Sequence, residues 1–207
     1  YMAREKLEGT LSNIVYMGMG EPFAAYDSVA ASLKTLMDQK QFGLGARHIS
    51  VSTSGLAPQM ERFAVDFPQV NLALSLHAAH DELRQKLVPV NKAYPLARLA
   101  EALKKAVALT RRKIFLEYVL LRGENDSPEH ARELCEYVRS LGTPELMHVN
   151  LIVFNQTETP HAASSEENAR RFQKQLHDAG VLATVRQNLG RDIQGACGQL
   201  VIKEIEK

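Results

Sequence analysis

Tryptophan is absent from this 207-residue chain, cysteine occurs twice, aromatic residues make up 6%, and 25 Lys and Arg nearly cancel 24 Asp and Glu. Each scarcity closes a class of protein. Two thiols, Cys135 and Cys197, are too few for a disulfide scaffold, and no positively charged, apolar, small-residue leader opens the chain, so the cytoplasm is the expected compartment. No apolar run approaches the roughly 18 residues that would suggest a membrane span. With a formal net charge of +1, any basic footprint for nucleic acid has to be local. What remains is an ordinary globular composition, 45% hydrophobic and 24% charged, enough for one sizeable core or for part of a larger one.

Apolar, β-branched runs alternate with amphipathic stretches, the pattern of repeated βα units around a parallel sheet. Strands are expected at Asn13 to Met17, His48 to Thr53, Val70 to Ser75, Lys113 to Leu120, His148 to Phe154 and Ala183 to Gln187. Helices are expected at Tyr26 to Gln39, Gln59 to Asp66, Asp81 to Leu87, Leu96 to Leu109, Ser127 to Leu141 and Ser165 to Ala179. Asp126-Ser127-Pro128-Glu129 carries an N-cap with proline in the first turn, and Ala179-Gly180 supplies a glycine stop. No internal repeat, low-complexity segment or Pro/Gly/Ser-rich linker divides the chain, so one domain is the economical reading. The opening YMAREKLEG has no recognisable element ahead of the first strand and reads as an amino-terminal truncation.

In a parallel α/β sheet or barrel, ligands gather where strands end and loops begin. The polar motifs of this chain fall there. YMGMGEP (Tyr16 to Pro22) closes the first strand: glycines at 18 and 20 let backbone approach a ligand, and the Glu21 carboxylate can accept hydrogen bonds from an ammonium or from ribose hydroxyls. The bland alternative is a turn with a capping glutamate before the Tyr26 helix. A dinucleotide fingerprint does not fit, because its third glycine would fall on Phe23. STSG (Ser52 to Gly55) reads as a turn in which Ser54 caps and Gly55 bends. In SLHA, Ser75 and His77 flank Leu76 at a strand end, and a satisfied structural histidine stands beside a ligand-binding one. Cys197 sits between Ala196 and Gly198, which leaves its sulfur accessible, whereas Cys135 shares an apolar helical stripe with Leu134 and Val138 and reads as a core thiol.

YMGMGEP, HISVSTSG, NLALSLHAAHDELRQKLVPVN, YPL, LEYVLL, NDSPEHARELC, HVNLIVFN and DIQGACGQL, in this order over nearly the whole chain, resemble the RlmN/Cfr class of radical S-adenosylmethionine RNA methyltransferases. The resemblance implies a partial (βα)6 barrel of α/β class, here incomplete at its amino end, whose mouth holds S-adenosylmethionine beside a [4Fe-4S] cluster. It implies cofactor contacts from Gly20, Glu21, Ser52, Ser75, Leu76, His77 and Asn155, with Glu21 on the methionine amino group. Cys197 matches the cysteine that first accepts a methyl group. A second cofactor molecule is then cleaved to a 5′-deoxyadenosyl radical that abstracts hydrogen from the S-methyl group, and the methylene radical adds to an adenine carbon of RNA. Adenine C2 carries no acidic proton, which makes radical addition intelligible, and the cofactor carries the hard chemistry. The partners so implied are RNA, 23S rRNA and also tRNA, and an electron donor such as a flavodoxin, with no membrane.

The departures are as informative. The family's Cys-x-x-x-Cys-x-x-Cys cluster motif, which precedes the GMGEP strand, has no counterpart here, and two cysteines cannot supply three thiolates, so no metal ligand is assigned. The accessory domain, first barrel strand and second reactive cysteine are likewise missing, and the chain is expected to be the carboxyl-terminal portion of such an enzyme, inactive alone. Gln156 stands where the family shows proline, the loop TETPHAASS is short, and Asn188-Leu189-Gly190-Arg191 replaces a more basic, then acidic pattern. Arg47, Arg84, Lys86, Lys92 and Arg191 are candidate phosphate contacts, against solvated surface charge. Three rival readings stay open: a Cfr-like enzyme acting on adenine C8, a noncatalytic nucleotide- or RNA-binding module using the same loops, and a barrel enzyme with His77 as acid or base.

Overall fold

The computed structural model describes residues 11–155 and 160–186. Six strands, β1 (Ile14–Tyr16), β2 (Ile49–Thr53), β3 (Asn71–Ser75), β4 (Ile114–Leu120), β5 (Met147–Val153) and β6 (Ala183–Val185), form one sheet in chain order. Every neighbouring pair is parallel. The intervening helices are α1 (Tyr26–Met37), α2 (Ala57–Asp66), α3 (Asp81–Leu87), α4 (Leu96–Thr110), α5 (Pro128–Ser140) and α6 (Glu166–Asp178). Each expected element is present, with its described ends displaced by at most two residues, the scale at which terminal turns fray. The expected end of the last strand, Gln187, lies outside the described residues.

Local chemistry explains the boundaries. Ser127 caps α5 in a capping box: its Oγ accepts from His130 N, and Ser127 N donates to His130 Nδ1 at 3.3 Å. Ser165 Oγ accepts from Asn168 N at 3.1 Å at the start of α6, and Gly180, with φ of +78°, ends that helix's turn.

Residues along the strands alternate between two unlike faces. Ile49 and Val51 of β2, Leu72 and Leu74 of β3, Leu116 and Tyr118 of β4 and Val149 and Leu151 of β5 share one apolar cluster with Met60, Phe63, Leu99, Leu103, Leu134 and Phe172 from the helices. Leu74 and Leu116 are wholly buried, so truncating either to alanine costs about 2–5 kcal/mol. The other face is polar. Ser75 lies opposite Glu117, Glu117 opposite Asn150, and Asn150 opposite Thr184. Asn150 Nδ2 donates to Glu117 Oε1 at 2.9 Å, Thr184 Oγ1 donates to Asn150 Oδ1 at 2.9 Å, and the Ser52 and Ser75 hydroxyls meet at 3.4 Å. A parallel strand packed on both faces reads as a continuous apolar run, whereas these strands carry a polar row on the face away from the helices.

Candidate functional site

The backbone after β1 turns at Gly20, whose φ of +92° is open to glycine at little cost, and then enters a 3₁₀ turn at Pro22–Ala25. Glu21 caps that turn: its Oε1 accepts from Phe23 N at 3.0 Å. Its Oε2 accepts from Ser54 N at 2.6 Å and from Ser54 Oγ at 2.7 Å, which joins the end of β1 to the end of β2. The capping reading is therefore right, but Ser54 does not cap a helix as expected. Leu56 occupies the N-cap of α2 without a side-chain bond, because the Ser54 side chain is turned toward Glu21. Three donors hold the carboxylate in place, and Oε1, with a single donor, keeps capacity for another.

His77 follows β3 with a left-handed backbone, φ +58°, unusual for a residue with a side chain. Its N–H donates to Glu117 O at 3.2 Å, and its carbonyl accepts from Asn125 Nδ2 at 2.9 Å. Val119 N donates to Nδ1 at 3.1 Å, so in the neutral ring the proton resides on Nε2. Burial, reinforced by the Arg84 charge, holds the His77 pKa down to about 4. With Nδ1 accepting from the backbone, the neutral ring is left with its Nε2–H to offer as a donor, which weighs against the acid–base reading. Asn125, wholly buried, opens the NDSPEHARELC motif but was not singled out as a site residue. Besides His77 O it donates to Val119 O at 2.7 Å and accepts from Leu121 N at 2.7 Å.

Between these strand ends opens a cavity of about 240 Å³. Gly20 and Glu21 from the β1 end, Ser52 and Ser54 from β2, Ser75 and His77 from β3, Glu117 and Val119 from β4, Ile152 from β5 and Arg186 after β6 all line it. Five of the sequence-selected residues, Gly20, Glu21, Ser52, Ser75 and His77, thus share one cavity. Leu76 does not join them: its side chain is wholly buried in the core, its N–H donates to Glu117 O at 3.0 Å and its carbonyl accepts from Arg84 Nε at 3.1 Å. Asn155, just after β5, is 5% exposed and is not among the lining residues. Cys197 lies outside the described residues, as do Gln156 and Arg191. Glu117 is the acid the sequence reading passed over. Burial raises its pKa, opposed by the Asn150 hydrogen bond and then by the charge of Arg186.

Arg84 is also corrected. It is no phosphate contact, because it is wholly buried and all its acceptors are internal. Arg47 lies in the turn that precedes β2, at the end of the strand opposite to the cavity, where it donates to Gln69 Oε1. Lys86 and Lys92 are exposed. Cys135 is buried on α5 and burial raises its thiol pKa, as a core thiol requires. Among the described residues no group of His, Cys, Asp and Glu could hold a metal ion, and no helix is long and apolar enough to cross a membrane.

The sequence profile of the Radical SAM superfamily matches residues 2–135, well over half of the chain. The chain belongs to the radical SAM superfamily. It is 44% identical, over its whole length, to a probable dual-specificity RNA methyltransferase RlmN from a Thermoanaerobacter species, of which it covers 59%. A protein of the same name from Bacillus mycoides is 44% identical over 98% of this chain and 55% of its own length. The chain therefore spans little more than half the length of the curated relatives it matches. A radical SAM methyltransferase from Sphaerobacter thermophilus superposes with a TM-score of 0.89 at 46% identity, over 96% of this chain and 57% of that one. A domain of a pyruvate-formate lyase-activating enzyme from Bacteroides vulgatus, 19% identical with a TM-score of 0.64, shares the fold.

Proposed function

We propose that this chain is the S-adenosylmethionine-binding, carboxyl-terminal portion of a radical SAM RNA methyltransferase that modifies C2 of adenine in 23S rRNA and also tRNA. The observation that carries the reading is the Glu21 carboxylate, fixed by three donors in a cavity whose other polar lining includes the Ser52, Ser54 and Ser75 hydroxyls, His77, Glu117 and Arg186, beside apolar Met17, Val119 and Ile152. That donor set suits the cofactor: a carboxylate for its ammonium, Ser52 and Ser75 for ribose hydroxyls, and a neutral His77 offering Nε2–H to an acceptor. Gly20 completes the set by its open backbone; Asn155 and Leu76, which do not line the cavity, belong to the proposed cofactor contacts on the family resemblance alone. S-adenosylmethionine supplies a methyl group and, on reductive cleavage, the radical chemistry, while Cys197 is the methyl acceptor within this chain.

The residues of this chain do not fit a [4Fe-4S] cluster, since two cysteines cannot furnish three thiolates. On this reading the cluster is held by residues outside this sequence, and its reduction requires an electron donor such as a flavodoxin. The decisive test joins this chain to a segment bearing Cys-x-x-x-Cys-x-x-Cys, reconstitutes iron and sulfide anaerobically, and adds reductant, cofactor and RNA. Mass spectrometry should find 5′-deoxyadenosine and 2-methyladenine. Finding 8-methyladenine instead transfers the enzyme to the Cfr-like reading, and binding of RNA without either product supports a noncatalytic module.

A further inference from the structure

Among the described residues, Arg84 is the only cation with a wholly buried side chain, and it has no carboxylate within ion-pair distance. Burying a guanidinium is expensive unless its N–H groups are bonded. Its partners are the ends of two strands. Nη2 donates to Ser54 O at 2.7 Å and Ser75 O at 3.2 Å, Nε to Leu76 O at 3.1 Å, and Nη1 to Asn91 Oδ1 at 2.8 Å. Asn91 is in turn anchored, its Nδ2 donating to Asp81 Oδ1 at 2.8 Å. Gly55, with φ of +115°, makes room: a Cβ there would lie 3.2 Å from Arg84 Nη2 and 3.0 Å from Leu99 Cδ2.

The bonds of Ser54 define what this arrangement does. Its carbonyl is held by Arg84, while its N–H and hydroxyl both donate to Glu21 Oε2. Ser54 is thus fixed from both sides, with the buried cation behind it and the cavity carboxylate in front. We propose that Arg84, acting through Ser54, is the positioning residue that aims the Glu21 carboxylate at the ammonium group of the bound amino-acid moiety. The inference rests on the cofactor reading above and adds to it the residue that orients its ammonium receptor. A lysine in place of Arg84 keeps a charge but is a single point donor group, and cannot span the Ser54, Ser75 and Asn91 oxygens with a planar fork.

The role predicts a selective loss. S-adenosylhomocysteine carries the amino-acid moiety and 5′-methylthioadenosine lacks it, so the ratio of their affinities reports on the contacts to that moiety, and the part of it lost in Glu21→Gln reports on the ammonium. Ligand-observed NMR up to millimolar concentration, on the chain as it stands, measures both. The unaltered chain should prefer S-adenosylhomocysteine, and Glu21→Gln should lower the preference at least as far as any variant that acts through it. Arg84→Lys should lower it about tenfold while the 5′-methylthioadenosine affinity stays within about twofold, and combining it with Glu21→Gln should produce no further loss. Ser54→Ala removes one donor to Glu21 without disturbing the core, and should lower the preference about threefold, which keeps the test sound if Arg84→Lys does not fold. Equal loss of both ligands in Arg84→Lys, or an unchanged ratio in Ser54→Ala, overturns the positioning role. No preference in the unaltered chain overturns the cofactor reading as well, and with it the inference.

Discussion

Acidification offers a direct test of how the cavity wall is held. His77 has a folded pKa near 4, below its ordinary value of 6.5, because burial and the Arg84 charge disfavour the imidazolium. The depressed value means that the unfolded chain binds this proton first as pH falls. The stability contributed by neutral His77 is therefore present above pH 6.5 and is lost as pH drops toward 4. Between about pH 7.5 and pH 5, a window chosen above most carboxylate titrations, the linkage amounts to about 2 kcal/mol. The structural basis is specific: a proton on Nδ1 would face the Val119 N–H that now donates to it at 3.1 Å. Urea denaturation across that window should show the loss, and it should shrink in His77→Asn, which cannot titrate and whose side chain tolerates the left-handed backbone better than most. NMR should find the His77 ring protonated on Nε2 and neutral at pH 5. A titration midpoint near 6.5, or an equal pH dependence in the variant, would refute the argument.

Other substitutions test neighbouring links. Glu117 has a raised pKa, so its wild-type contribution worsens as pH climbs from about 4.5; the isosteric Glu117→Gln should gain urea resistance relative to wild type over that rise, and a constant difference would show that Glu117 is not held in the buried state described. Asn125→Ala leaves His77 O, Val119 O and Leu121 N without their partner, and should cost about 3 kcal/mol in urea denaturation at neutral pH, a loss below 1 kcal/mol contradicting the buried network. In the longer enzyme, Cys197→Ala should retain cofactor binding yet abolish methyl transfer. Cys135→Ala should spare turnover and lower stability by about 1 kcal/mol. Label from methyl-tritiated S-adenosylmethionine found on Cys135 would overturn that assignment.

The alternation of strands and helices was legible because the elements carry local periodicity and stop signals: Ser127 caps α5, Gly180 ends α6, and apolar runs, mostly β-branched, mark the strands. The strand-end motifs holding Gly20, Glu21, Ser52, Ser75 and His77 were legible for the same local reason, since polar residues at the close of an apolar run stand out. Glu117 was passed over because a charge inside LEYVLL looks like noise until β3 and β5 place Ser75 and Asn150 on either side of it. Arg84 was misjudged for the opposite reason. On a seven-residue helix rich in charge it reads as surface, and only tertiary packing folds it under two strand ends.

By itself, the amino-acid sequence determined the order and kind of the elements, the likeness to a methyltransferase family, and which strand ends carry polar motifs, since those depend on residues close together in the chain. Only the tertiary structure decided that Ser54 serves Glu21 instead of a helix, that His77 Nδ1 accepts from Val119 N, and that Arg84 faces inward. These outcomes depend on hydrogen bonds between residues 30 or more positions apart, such as Ser54 with Glu21 and Val119 with His77, and on burial, which no local pattern encodes.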